Sequence, residues 1–285
     1  MKNKILSSIL VVVLTLLLVA SLPITVAVAS NGVTKLKPGK TVSTKLSGSK
    51  KYNVKYTESI NHSTDKLKMT LYVDGKVKYT LNASWAYGAS VWLLNVNSNT
   101  TLIYSFIYVD NGTEDHKVFF CNNGNLKQCG NIEYITGYSW DPVPIRAGQN
   151  EFIIRCQRQE SSIGGYRINA SFKYNASSKK VSKASSAYDI DFSDYYGSGY
   201  KPGEIGGWKD NWGTVSRSFN TYTKAGGNTL SFTSTKGERL RVQKVNIQKN
   251  AVYIQVMNEK GKTGWYKDPN KYMERGYFLE AQFGG

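Results

Sequence analysis

Histidine and cysteine are scarce. The 285 residues contain two histidines and three cysteines. None falls in a Cys-x-x-Cys or His-x-x-x-His spacing, so a zinc site has no ligand set. The Gly-x-Ser-x-Gly elbow and the His-Glu-x-x-His motif are also missing, which removes two large hydrolase classes. His62 and His116 sit in polar contexts, Asn61-His62-Ser63 and Glu114-Asp115-His116, and read as loop residues. No cysteine precedes a helical pattern that would hold a reactive thiolate, so a Cys–His hydrolase lacks its nucleophile. Helix itself is wanting: no helical period of useful length occurs beyond residue 30. Acids are few, 20 Asp and Glu against 37 Lys and Arg. The densest group is Asp189, Asp191 and Asp194. On an extended strand Asp189 and Asp191 share a face, which does not give the cross-cleft pair of glycoside hydrolysis. A solvated strand edge or a weak calcium site suits them better. The expectation is a chain with no catalytic residue, no cofactor and no resident metal.

What is present begins with an export pattern. Lys2 and Lys4 give a positive start, Ile9–Ala20 is apolar except for Thr15, Pro23 breaks helix, and Ala27-Val28-Ala29 offers small residues to a signal peptidase. Residues 1–29 therefore read as a signal peptide, and the mature chain as secreted or envelope-associated. Left uncleaved, the stretch is long enough to anchor in a bilayer, which needs about 20 apolar residues. That is the one membrane contact expected. The net charge is +17. Such a field attracts polyanions: wall polymers, acidic glycans or lipid headgroups. Export argues against nucleic acid as the physiological partner. The lysines run along the whole chain and form no single block, so a merely soluble basic surface accounts for the charge equally well.

Twenty Tyr, six Trp and 26 Gly, with abundant Thr, Val and Asn, favour strands and tight turns. The fold class expected is all-β. Strands are predicted at Leu67–Val73, Val77–Leu81, Ser90–Val96, Leu102–Val109, Lys117–Cys121, Asn125–Glu133, Glu151–Arg158 and Gly165–Tyr174. In the first hairpin a three-residue loop, Val73-Asp74-Gly75, sets Leu71 opposite Val77 and Met69 opposite Tyr79, which keeps both apolar faces together. A two-residue turn at Asn123-Gly124 pairs Cys121 with Leu126 and turns Cys129 to the other face. Three buried thiols follow, with a bridge to Cys156 as the alternative. Residues 175–187, NASSKKVSKASSA, lack apolar periodicity and read as a linker. Strands resume at Leu230–Thr233, Arg239–Ile247, Val252–Asn258, Thr263–Lys267 and Tyr277–Phe283. The predicted layout is a β-sandwich-like unit over 30–174, the linker, and an aromatic, glycine-rich unit over 188–285.

Two resemblances refine this layout. Lys236-Gly237-Glu238 before a strand, then Tyr253-Ile254-Gln255-Val256, then Gly261-Lys262-Thr263-Gly264-Trp265, resembles bacterial SH3-like domains over roughly the last 70 residues. That resemblance implies a small barrel, and such domains commonly bind cell-wall peptide or glycan. The run Leu94-Asn95-Val96-Asn97, Ile103–Val109, Asn111–Asp115 and Phe120–Leu126 is similar to a propeller-like repeat of Gram-positive surface proteins. In that repeat acidic loops hold calcium; here Asn95, Asn97 and Asn99 supply no charge. A single repeat cannot close a propeller, so a sandwich or partial propeller is expected. Five aromatic residues are the candidate binding set: Trp208, Trp212, Tyr253, Trp265 and Tyr266. Flat rings among lysines suit sugar stacking or peptide binding. Trp265 reads in addition as a cap on the barrel core. The function expected is a non-enzymatic module contacting cell-wall glycan, peptide or an anionic polymer; the alternative is an exported carbohydrate- or peptidoglycan-active hydrolase with an unrecognised carboxylate site.

Overall fold

The computed structural model describes residues 31–110, 112–136, 142–192, 203–269 and 276–282. The export pattern over 1–29 and Asp194 lie outside the described residues. The fold is all-β, built as antiparallel sheets. The chain runs through β1 (Val33–Lys35), β2 (Thr41–Thr44), β3 (Tyr52–Asn61), β4 (Lys66–Val73) and β5 (Lys76–Ser84). Next come β6 (Ala86–Asn97), β7 (Thr100–Val109), β8 (Gly112–Asn122), β9 (Asn125–Asn131) and one helical turn, α1 (Glu133–Thr136). They are followed by β10 (Val143–Gly148), β11 (Glu151–Glu160), β12 (Gly164–Asn175) and β13 (Lys180–Lys183). The last part holds β14 (Tyr188–Asp189), β15 (Trp212–Thr214), β16 (Phe219–Tyr222), β17 (Leu230–Ser234), β18 (Arg239–Gln248), β19 (Ala251–Asn258) and β20 (Thr263–Lys267). A first sheet has the order β2-β3-β4-β5, a second β1-β6-β7-β8-β9 and a third β10-β11-β12-β13. The fourth runs β14-β18-β19-β20-β16-β17, with β15 also on β18.

The second sheet is the middle layer. Val91, Leu93, Ile103, Ile107, Phe119 and Cys121 meet Tyr52, Val54, Tyr56, Leu67, Met69 and Leu71 of the first sheet. Alternate residues of the same strands, Leu94, Val96, Leu102, Tyr104, Phe106 and Val118, join a second core with Phe152, Ile154, Cys156 and Ile168 of the third sheet. That core continues into Leu240, Val242, Ile254 and Val256 of the fourth. The sequence shows this directly in β7, where Thr101–Ile107 is buried at every position because both faces are covered.

Several expectations are corrected. The β4–β5 turn has two residues, Asp74 and Gly75, at φ 49° and 74°. Val73 pairs Lys76, Tyr72 pairs Val77, and a bulge then places Leu71 opposite Tyr79 and Met69 opposite Leu81. The apolar faces coincide because Lys78 is extruded, not because the loop is longer. Residues 175–187 are not without regular structure: Lys180–Lys183 form β13, which pairs with Phe172–Asn175. The stretch is polar because β13 is a sheet edge. Tyr277–Phe283 is not a strand in its described part; it makes one bridge, Val215 to Phe278. Buried Glu280 instead turns inward, where it accepts the N–H of Thr214 at 2.7 Å and of Gly203 at 2.8 Å.

His116 is likewise no loop residue. It lies fully buried on β8, with Nδ1 2.7 Å from the Tyr104 hydroxyl and Nε2 3.1 Å from that of Thr113. Burial lowers its pKa to about 4, so the ring is neutral at pH 7. The Asn-Gly turn does pair Cys121 with Leu126, and all three cysteines are free and buried. Burial pushes Cys129 and Cys156 up to about 12. The charge, finally, is not evenly spread. Residues 31–84 hold eleven lysines and no arginine against Glu58, Asp65 and Asp74, a surplus of eight.

Candidate binding site

The last hairpin sorts its side chains by strand alternation. β19 and β20 pair Tyr253 with Lys267, Ile254 with Tyr266, Gln255 with Trp265 and Val256 with Gly264. Ile254, Val256 and Tyr266 point into the core. Tyr253, Trp265 and Lys267 therefore share the outer face. Tyr222 of β16 pairs with Trp265 from the other side, so three aromatic rings meet across three strands. They line a cleft of about 270 Å³ closed by Gly226, Gly227, Asn228 and Lys267. Gly226, at φ 73°, lets the β16–β17 loop pass the ring: a Cβ there would stand 3.2 Å from the Tyr253 hydroxyl. Gly264 permits the close approach of β16, since a Cβ there would overlap the Thr221 side chain.

A second, polar cleft of about 540 Å³ adjoins the first, and Lys267 lines both. Its wall includes Glu133 and Tyr134 of α1, Arg158 and Glu160 of β11, Lys249 at the β18–β19 turn, and Asp268. The charges are tied into the scaffold. Arg158 donates through Nε and Nη2 to Glu160 Oε1 at 3.1 and 2.9 Å, and through Nη1 to the Ile135 carbonyl at 2.7 Å. The Tyr166 hydroxyl donates to the same Glu160 oxygen at 3.1 Å. Asp268 accepts the Ser161 hydroxyl at 2.8 Å and the Ser162 N–H at 2.9 Å, while the Ser162 and Tyr266 hydroxyls bond at 2.9 Å. Burial and the nearby Asp268 charge raise the Glu160 carboxyl above the usual range, and Arg158 pulls it the other way. These bonds clamp the end of the third sheet to the fourth.

The five predicted aromatics thus have different fates. Tyr253 and Trp265 come together in the cleft, so Trp265 faces outward instead of capping the core. Tyr266 is buried and out of reach of a ligand. Trp208 is half-buried, stacked on Phe192 at 4.1 Å and 2° and packed on Phe278 at 5.2 Å, with its indole N–H buried and unbonded. It is a packing residue. Trp212, on β15, is half-buried under the Arg239 guanidinium at 5.8 Å, beyond β18 and away from the cleft. Sequence reasoning missed Tyr222, whose only local signal is the glycine pair four residues on; its register against β20 is a long-range fact. Glu160 and Asp268 were missed because each stands alone among ordinary polar and basic residues, and their approach joins segments over a hundred residues apart. The predicted acids are dispersed: Asp189 forms an exposed 2.7 Å ion pair with Lys244, and Asp191 joins Arg167 by a backbone bridge. Asn95 accepts the Thr101 hydroxyl, and the Asn97 amide donates to Asn150 at 2.6 Å, so these amides are engaged within the fold.

Compared with models of known protein families, with curated proteins and with solved structures, the chain has no match.

Proposed function

We propose that the protein is an exported, non-enzymatic binding module of the cell envelope that holds an extended wall glycan or glycan-linked peptide along this double cleft. One observation carries the reading: the ring-lined cleft and the polar cleft share Lys267. Together they offer an aromatic floor for a sugar face and, next to it, the exposed Lys267 and Lys249 ammonium groups for a charged substituent. The export pattern and the likeness of Gly261–Trp265 to wall-binding SH3-like domains support the same reading. Pull-down on purified peptidoglycan and on teichoic acid, across a salt series, tests it. Retention on peptidoglycan that resists salt and is lost in Tyr253→Ala supports stacking. Retention that fades with salt and ignores Tyr253 sinks the cleft as the site.

A second reading, hydrolysis, is favoured by one specific feature, the raised Glu160 carboxyl near Asp268. Release of soluble fragments from wall polymer by the wild type, abolished in Asp268→Asn, would replace binding with turnover.

A further inference from the structure

The passage from the first sheet to the second is a single residue, Trp85, between β5 and β6. Its backbone is left-handed, φ 59°. This is a conformation that glycine or asparagine adopts cheaply and a bulky residue does not. The corner itself is fixed by the Trp85 N–H, which donates to the Asp65 carbonyl at 2.6 Å. Yet the ring contributes little to packing, being 67 % exposed, and Tyr87 two residues on is 54 % exposed. A strained aromatic that leaves its side chain in water is not explained by the fold.

The surroundings are basic. Lys66 pairs across from Ser84, and Lys68 from Asn82, on the strands that end at this corner. Both lysines are exposed, and they belong to the segment with a surplus of eight positive charges. Two of its three acids are engaged with backbone: Glu58 accepts the Ala89 N–H at 2.8 Å and Asp74 the Asn53 N–H at 2.9 Å. Neither exposed ring lines the aromatic cleft, the polar cleft or the shallow groove of about 490 Å³ between Ser59, Lys66 and Ser84. The rings are presented at a corner, not inside a hollow that would grip a polymer. Indole and phenol beside lysine are the side chains that settle at the boundary between headgroups and acyl chains.

We propose that the Trp85–Tyr87 corner, with Lys66 and Lys68, is a docking tip for an anionic lipid surface, separate from any contact made by the leading apolar stretch. The test uses vesicles of phosphatidylglycerol and phosphatidylcholine carrying brominated acyl chains, which quench indole emission at contact. Residues 1–30 contain no tryptophan, so the quenching reports on the folded body. The wild type is expected to be quenched on anionic vesicles and not on phosphatidylcholine alone. In Trp85→Gly the quenching disappears, while the unfolding temperature stays at or above that of the wild type, because glycine accepts the positive φ. The Lys66→Ala/Lys68→Ala pair lowers partitioning by about 25-fold at low salt, about fivefold per lysine. Quenching that persists in Trp85→Gly overturns the proposal. So does a lowered unfolding temperature in that variant, since the ring would then serve the fold. Absence of quenching, with Trp85-dependent binding to soluble polyglutamate, overturns it in favour of a polymer ligand.

Discussion

The outer face of the first sheet carries Lys55, Lys66 and Lys68 beside Tyr72, whereas the outer face of the fourth carries Tyr222, Tyr253 and Trp265 beside Lys267. Both faces are half of a strand alternation whose other half is core. They differ in what is left for a partner. The first sheet offers exposed lysines, Lys66 and Lys68, with Lys55 resting on the Tyr72 ring at 4.8 Å, and the exposed Trp85 ring stands at the strained corner where the sheet ends. The fourth offers rings fixed in a hollow beside Lys267, with Arg158, Glu160 and Asp268 locked into bonds. Flat charge attracts a surface without choosing a molecule, and its pull fades with salt. Fixed rings select by shape. Under the two proposals, one chain would make a general contact and a selective one on separate sheets.

The largest expected effect tests whether the charges near the fourth sheet are truly scaffold. Arg158→Ala leaves Glu160 buried without its cation and should lower unfolding stability by about 3–5 kcal/mol in a denaturant titration. Next comes the histidine of the middle layer. Its folded pKa, about 4, lies below the unfolded value of 6.5. The stability it contributes is therefore complete above pH 6.5 and is lost as the pH falls through 4, amounting to about 3 kcal/mol. Urea unfolding midpoints across pH 7 to 4 should show that decline in the wild type and a flatter curve in His116→Gln. The two tryptophans then part company. Trp208→Ala should cost about 3 kcal/mol of stability, while Trp265→Ala should stay within about 0.5 kcal/mol. Equal losses would erase the distinction between packed and presented rings. The smallest effect belongs to the first sheet: Lys55→Ala and Lys68→Ala should each leave stability unchanged within about 0.5 kcal/mol, yet weaken retention on a cation-exchange (polyanionic) polymer at low salt.

Much of this was legible in the residues. Asn123-Gly124 set the register of Cys121 against Leu126; period two, had it been applied to Trp265 and Tyr266, would have split a pair that the sequence reading put together in the binding set. The same rule, applied to Asp115-His116, would have sent the histidine inward; its polar neighbours concealed that. β13 escaped notice because an edge strand needs only one apolar contact, here Val181, which packs against Gly130. The bulge at Lys78 is a local choice between two loops that satisfy the same pattern. Tyr222 against Trp265 and the Asp268 bonds to Ser161 and Ser162 depend on strands meeting from distant parts of the chain, which no spacing encodes.

The most direct measurement is a calorimetric titration of the protein with a soluble wall glycan-peptide fragment. A saturable one-to-one isotherm is expected, weakened about tenfold in either Tyr253→Ala or Trp265→Ala, with both variants melting close to the wild type. Heats that are absent, or that remain the same in both ring variants, would contradict it.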